Sequence, residues 1–163
     1  MLALNPRKIQ PYGGKIDFDV AGKLQGNWFQ VGTNGYAGPE GIERTNSLGD
    51  QGYFSGHFSI APDSVHPELV NLSFGDYEGK PQQFTAKKGS SDPAKIGMTD
   101  GPVKYELTKY RQPTFSIPTV DDNVLGTALL QVLEGNQMKL EIFPNKTASQ
   151  VTGFTSNAKI YER

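Results

Sequence analysis

The stretch GTALLQVLEGNQMKLEIF, residues 126–143, decides the fold of this chain. It consists of two apolar, β-prone runs joined by Gly135-Asn136, and a two-residue connection with glycine first predicts an antiparallel hairpin with a type II′ turn. Such a turn places Gln131 opposite Leu140, on the side that carries most of the large apolar residues. We therefore expect an apolar core face on this hairpin, with Gln131 as its one polar side chain.

Alternation of apolar and polar residues recurs along the rest of the chain, in runs typical of short strands. The 19 glycines and 11 prolines are spread between these runs, as turn residues are. The expected helix content is at most one short turn, at residues 147–151. The pattern predicts an all-β fold, an antiparallel barrel of about eight to ten strands. Strands are expected at residues 15–20, 24–31, 53–60, 70–74, 82–86, 103–107, 126–134, 137–143 and 157–163.

Length and composition limit the classes of function. The 163 residues suit one domain, and we expect a single β-barrel domain over residues 15–163, preceded by residues 1–14 as an N-terminal tail or a segment left by excision. The absence of cysteine excludes disulfides and thiolate metal sites. A net charge of −1 argues against nucleic-acid binding. Without an apolar run of about 18 residues, we expect a soluble protein that does not insert into membranes.

Residues 23–32, KLQGNWFQVG, resemble the first strand of the lipocalin (calycin) family. Gly26 and Trp28 match the Gly-x-Trp motif of that strand. The resemblance implies a lipocalin-like barrel in which the tryptophan plugs one end and an arginine packs over it. The long helix that lipocalins have before their last strand is missing or reduced to one turn here. Candidates for the arginine are Arg7, Arg111 and Arg163.

The chain as a whole is similar to a poorly characterised β-domain at the C-terminal end of larger exported bacterial proteins. The similarity lies in residues 17–30 and 127–163, including ALLQV at 128–132 and VTGFT at 151–155. It implies a bacterial, extracytoplasmic location, secreted or periplasmic, with the export signal absent from this chain. It also implies a larger parent protein, or a neighbouring domain, as a partner.

Motifs for catalysis are absent from the sequence. The chain has only two histidines, His57 and His66, without an HExxH pattern or a Gly-x-Ser-x-Gly elbow. We therefore predict no catalytic residue, no metal and no cofactor.

Ligand contacts are the remaining candidates. Gln131, facing the core, needs a partner, which is either a bound ligand or an internal water or backbone group. Tyrosines suit sugars and aromatic ligands, although they also suit β-sheets. The loop at residues 32–52 is long enough to suggest the mouth of the barrel. The candidate ligand-binding residues are Gln131, Tyr53, Tyr77, Tyr105 and His57, with Tyr110 as a further tyrosine near the same space.

Three functions stay open at this stage. The first is a non-catalytic accessory domain that binds a small apolar molecule or a glycan, or docks a partner. The second is a lipocalin-like isomerase or cyclase acting on a ligand inside the barrel, which an inward-facing Tyr105 or His57 would favour. The third is a structural module, which a filled interior would favour.

Overall fold

A computed structural model describes residues 8, 18–33, 35, 56–110 and 122–163. Among these residues, eight antiparallel strands form a closed barrel in which each strand pairs with its neighbours in sequence and the last pairs with the first. The predicted all-β barrel is therefore confirmed. The strands are β1 (Gly26–Gln30), β2 (His57–Pro62), β3 (Val70–Tyr77), β4 (Lys80–Ala86), β5 (Val103–Lys109), β6 (Gly126–Leu133), β7 (Gln137–Pro144) and β8 (Lys159–Glu162).

Two predicted strands are shorter than expected or absent. Of the strand expected at 15–20, residues 15–17 lie outside the described part, and residues 18–20 have no regular structure. The strand expected at 53–60 begins at His57 within the described residues. The two helical elements that the described residues contain are 3₁₀ turns, Met98–Asp100 and Ala148–Gln150, and the second is the single turn that the sequence predicts.

The turn between β6 and β7 differs from the predicted type II′ turn. Leu133 pairs with Gln137, so three residues rather than two separate the strands. Both Gly135 and Asn136 have positive φ, 73° and 57°, whereas a type II′ turn requires positive φ only at its first central residue. The predicted hairpin is confirmed, but its predicted turn type and register are wrong.

The register error moves Gln131 to the other face of the sheet. Gln131 pairs with Lys139 and not with Leu140, because a shift of one residue exchanges the two faces of a strand. The core face of β6 is instead made by Ala128, Leu130 and Val132. Gln131 is half-buried on the outer wall. Gln131 therefore does not face the interior of the barrel.

Side chains fill the interior of the barrel. Alternate residues of the strands point inward and form one continuous apolar cluster. Each large side chain buried in this way contributes about 1.5–3 kcal/mol of hydrophobic free energy. Eight strands enclose a space that such side chains can fill. The largest inward residues are Trp28, Phe58, Ile60, Leu72, Phe74, Phe84, Tyr105, Leu107, Leu130, Met138, Leu140 and Tyr161.

The up-and-down order of the strands gives the barrel two distinct ends. The connections β2–β3, β4–β5 and β6–β7 lie at one end, which we call the Trp28 end. The connections β1–β2, β3–β4, β5–β6 and β7–β8 lie at the other, which we call the Asp76 end. The loop predicted at residues 32–52 starts at the Asp76 end, but most of it lies outside the described residues.

Candidate ligand-binding site

The Trp28 end is closed by a tryptophan and an arginine. The indole Nε1 of Trp28 donates a hydrogen bond of 2.9 Å to the carbonyl of Leu24. The guanidinium carbon of Arg163 lies 4.0 Å from the centroid of the Trp28 ring, which is cation–π geometry. Arg163 therefore makes the contact implied by the resemblance; the other two candidates, Arg7 and Arg111, lie outside the described residues.

Hydrogen bonds from Arg163 tie the end of the chain to the segment before β1. Its guanidinium donates to the carbonyls of Val20, Lys23 and Gln25, at 2.7, 2.6 and 2.8 Å. Burial lowers the pKa of Arg163, and the charge of Asp19 opposes that effect. Because these hydrogen bonds join the last residue of the chain to the segment before β1, Arg163 serves closure of the barrel at the Trp28 end.

Tyr105 faces the interior at the same end. It is fully buried, and its hydroxyl donates a hydrogen bond of 2.9 Å to the carbonyl of Ser91. Burial raises the pKa of Tyr105, with a smaller contribution from the charge of Asp92. Tyr105 thus has the inward orientation that the isomerase or cyclase alternative requires, but its hydroxyl is held by the protein itself.

His57 lies on the outer wall, at the start of β2. Its ring stacks on Phe29 with 5.3 Å between centroids, and its Nε2 is 3.3 Å from Oδ1 of Asn27. Burial lowers the pKa of His57, so the ring is neutral at pH 7. His57 therefore does not share a space with Tyr105.

The predicted contact residues do not converge on one site. Tyr77 lies at the Asp76 end, where its ring packs 4.7 Å from Phe84 and 6.0 Å from Phe74 between centroids. Burial raises the pKa of Tyr77, and the charge of Glu78 adds to this. Gln131 and His57 lie on the outer wall, and Tyr53 lies outside the described residues.

A cavity of about 300 Å³ opens at the Asp76 end, between the β3–β4 turn and the paired strands β7 and β8. We call it the Asp76 cavity. Its inner wall is apolar, since Leu140, Ile142 and Tyr161 contribute to the lining and to the core cluster. Its rim carries the polar and charged side chains of Asp76, Glu78, Asn157 and Lys159.

Asp76 and Lys159 face each other across this rim. Oδ2 of Asp76 is 3.6 Å from Nζ of Lys159, and the two side chains are 38% and 46% exposed. Ion pairs as exposed as this one contribute about 0–1 kcal/mol, so a ligand can displace the pair at little cost. The second oxygen, Oδ1, accepts a hydrogen bond of 2.9 Å from the amide of Gly79, which holds Asp76 in the turn.

Tyr161 forms the polar part of the inner wall. Its side chain is almost fully buried, and its ring meets the edge of Phe58 with 6.2 Å between centroids. Burial raises the pKa of Tyr161 to about 12, and the charge of Asp76 contributes. The hydroxyl is therefore a neutral hydrogen-bonding group throughout the physiological pH range.

Glu141 also lines the cavity but has partners elsewhere. Its carboxylate accepts hydrogen bonds from the amide and the hydroxyl of Thr155. Glu141 is buried on the outer side of β7, where it fastens the segment before β8. Asp76 and Glu78 are consequently the carboxylates that a bound molecule would meet.

One feature of the sequence, the spacing of Lys159 and Tyr161, indicates this site, although neither Lys159 nor Tyr161 is among the predicted ligand contacts. The sequence predicts a strand at 157–163. Lys159 lies two residues before Tyr161, so both side chains point to the same face of β8. A lysine on an inward face near the start of a strand indicates a polar barrel end.

Metal-binding groupings are not found where the structure is described. No three His, Asp or Glu side chains among those residues lie close enough to hold a metal ion. No helix within the described ranges is long and apolar enough to cross a membrane. Comparisons with family models, with curated proteins and with solved structures return no match for this chain.

Proposed function

We propose that this chain is a non-catalytic accessory barrel domain that binds a small, mainly apolar molecule in the Asp76 cavity. The carrying observation is the combination of an apolar inner wall, from Leu140, Ile142 and Tyr161, with a few polar groups at the rim. Ligand sites in proteins commonly have this composition. A volume of about 300 Å³ is at the lower end of the range for such sites, which favours a small ligand.

The charges at the rim favour a neutral or cationic ligand over an anionic one. Asp76 and Glu78 are carboxylates, and Lys159, the cation among the described residues of the rim, is already paired with Asp76. The hydroxyl of Tyr161 supplies a neutral hydrogen-bonding group beside them. An amine on an apolar body would keep its charge next to Asp76 while burying its ring or chain against Ile142.

The accessory role rests on the two resemblances. The Gly26 and Trp28 motif, together with the Arg163 contact, supports a lipocalin-like barrel, a class that binds small ligands. The similarity of residues 17–30 and 127–163 to a domain of larger exported bacterial proteins supports a parent protein, or a neighbouring domain, as the partner.

The test compares three matched probes, phenethylamine, 2-phenylethanol and phenylacetate, by thermal shift and by calorimetry. A ligand at about 100 times its Kd raises the free energy of unfolding by about 2.7 kcal/mol, which a thermal shift detects. We expect phenethylamine to bind most tightly and phenylacetate least. Ile142→Trp should abolish binding because the indole fills the cavity. Ile160→Trp, on the outer face of β8, is the control and should retain it. Equal shifts in both variants would contradict the assignment.

A structural module is the second candidate, and the filled interior favours it. The apolar cluster extends from Trp28 through Phe58 to Tyr161, and Tyr77 packs beside it at the Asp76 end. If none of the three probes and no member of a wider panel of apolar molecules shifts the melting temperature, the structural reading replaces the binding proposal.

A further inference from the structure

A second concave surface lies on the outer wall of the barrel. It is a groove of about 650 Å³ across β2, β3 and β4, separate from the Asp76 cavity and sharing no lining residue with it. Its lining combines a row of polar side chains with Phe74, Gly75 and Pro81. We call it the Ser73 groove. The side chains that matter for its chemistry are His57, Ser59, Ser73, Gln82, Gln83 and Tyr110.

Strand pairing builds a row of polar side chains along the floor of the groove. Ser59 pairs with Ser73, and Ser73 pairs with Gln83, so the three side chains stand side by side on the outer face. Neighbouring strands are about 4.8 Å apart, and the row therefore spans about 10 Å. Because the row lies within a paired sheet, the spacing of its Cβ positions is set before any ligand binds.

The neighbouring polar row on the same wall behaves differently. There, Asn71 donates to Asp63 at 3.0 Å and accepts from the hydroxyl of Thr85 at 2.9 Å, and Thr108 donates to the carbonyl of Thr85 at 2.8 Å. The polar side chains of that row have hydrogen-bond partners within the protein and are largely buried. The side chains of Ser59, Ser73 and Gln83, by contrast, have no hydrogen-bond partner within the described part of the chain.

The groove carries no formal charge on the described residues that line it, since none of them is Asp, Glu, Lys or Arg. Burial lowers the pKa of His57, so its ring is neutral near pH 7. Burial also raises the pKa of Tyr110, with the charge of Asp63 contributing, so its phenol stays protonated. A charged ligand would therefore find no counter-charge among these residues. An apolar ligand would displace the water bound to the hydroxyl and amide groups and would offer no hydrogen bonds in its place.

We propose that the Ser73 groove is a second binding site, independent of the Asp76 cavity, and that it takes an uncharged carbohydrate. Sugar hydroxyls donate and accept at once, as the hydroxyls of Ser59 and Ser73 and the amide group of Gln83 do. Tyr110 supplies an aromatic ring whose amphipathic character suits a sugar.

The test is a chemical-shift titration of the full chain with cellotetraose, maltotetraose and tetra-N-acetylchitotetraose, with tetragalacturonate as the charged comparison. We expect millimolar or tighter binding of at least one uncharged probe, with shifts at the amides of Ser59, Ser73 and Gln83. No response to tetragalacturonate is expected. Absence of shifts at these amides with all three uncharged probes would overturn the proposal, and so would an equal response to tetragalacturonate.

Variants separate this site from the Asp76 cavity. Ser73→Val combined with Gln83→Val should weaken carbohydrate binding about tenfold or more, because two hydrogen-bonding groups are lost. Gln83→Ala alone, at an exposed position that folding tolerates, should weaken it several-fold. Gln131→Val, on the outer wall at β6, is the matched control and should leave it unchanged. Ile142→Trp should block phenethylamine but not carbohydrate. Unchanged affinity in both groove variants would refute the assignment.

Discussion

The guanidinium of Arg163 lies 4.0 Å above the ring of Trp28 and joins the end of β8 to the inside of β1. The same group donates three hydrogen bonds to carbonyls of the segment before β1. One side chain therefore closes the barrel between its first and last strands, which share only two residue pairs in their ladder. Strands with so few backbone contacts depend on side chains for their closure.

Removal of Arg163 should destabilise the barrel strongly. Arg163→Ala deletes the cation–π contact and the three hydrogen bonds from the guanidinium to the carbonyls of Val20, Lys23 and Gln25. Such losses cost about 2–4 kcal/mol in the free energy of unfolding, measured by urea denaturation. Arg163→Lys should keep only a part of the stability that Arg163→Ala loses, because an ammonium lacks the planar, multiply donating geometry of a guanidinium. Lys139→Ala is the control, since its cation–π contact with Phe154 lies on the surface, and it should change stability by less than about 0.5 kcal/mol.

Gly26 should tolerate no side chain. Its φ is +138°, and a Cβ atom there would collide with Oδ1 of Asp19 and Nη1 of Arg163. We expect Gly26→Ala to cost about 2 kcal/mol or more, from backbone strain together with displacement of the arginine. Gly153→Ala is the matched control, because nothing lies within 4 Å of its added Cβ. A similar melting temperature for the two variants would show that Arg163 is not held as described.

Ionisation of the Tyr161 phenol should lower the free energy of unfolding as the pH rises above 10. Its pKa rises from 10.0 to about 12 on folding, so the protonated form is favoured in the native state. The stability from this difference is fully present below pH 10 and is lost as the pH rises towards 12. It amounts to about 2–3 kcal/mol. The phenylalanine of Tyr161→Phe cannot ionise, so the free energy of unfolding of this variant should fall less than that of the parent chain between pH 10 and 12. Urea denaturation at each pH measures the two profiles. Parallel pH profiles for the two chains would disprove this origin.

The alternation of apolar and polar residues predicts most of the strands, but it does not predict the Asp76 cavity. Val70, Leu72 and Phe74 alternate with polar residues, and β3 lies where that alternation predicts, because burial on one face is a property of the run itself. The Asp76 cavity depends instead on the approach of Asp76 to Lys159. Which strands adjoin across a barrel end follows from closure of the whole sheet, and no short run of residues encodes it.

The Trp28 end shows, for a single side chain, the same dependence of a contact on the topology of the whole sheet. The resemblance at Gly26 and Trp28 implies an arginine over the tryptophan, and three arginines in the sequence were equal candidates. Only the pairing of β8 with β1 brings Arg163 to the ring. A motif thus predicts that a contact exists, and the topology decides which residue makes it.

The register of the β6–β7 hairpin gives the sharpest check of the observed faces. With Gln131 beside Lys139 on the outer wall, Gln131→Ala should change the free energy of unfolding by less than about 0.5 kcal/mol. Val132 is buried beside Met138, and Val132→Ala should cost about 1–3 kcal/mol because it leaves a cavity in the core. A two-residue type II′ turn would reverse the order, since it exchanges the faces of one strand relative to the other. Equilibrium denaturation of both variants decides between the registers, and a larger cost at Gln131 than at Val132 would contradict the three-residue turn.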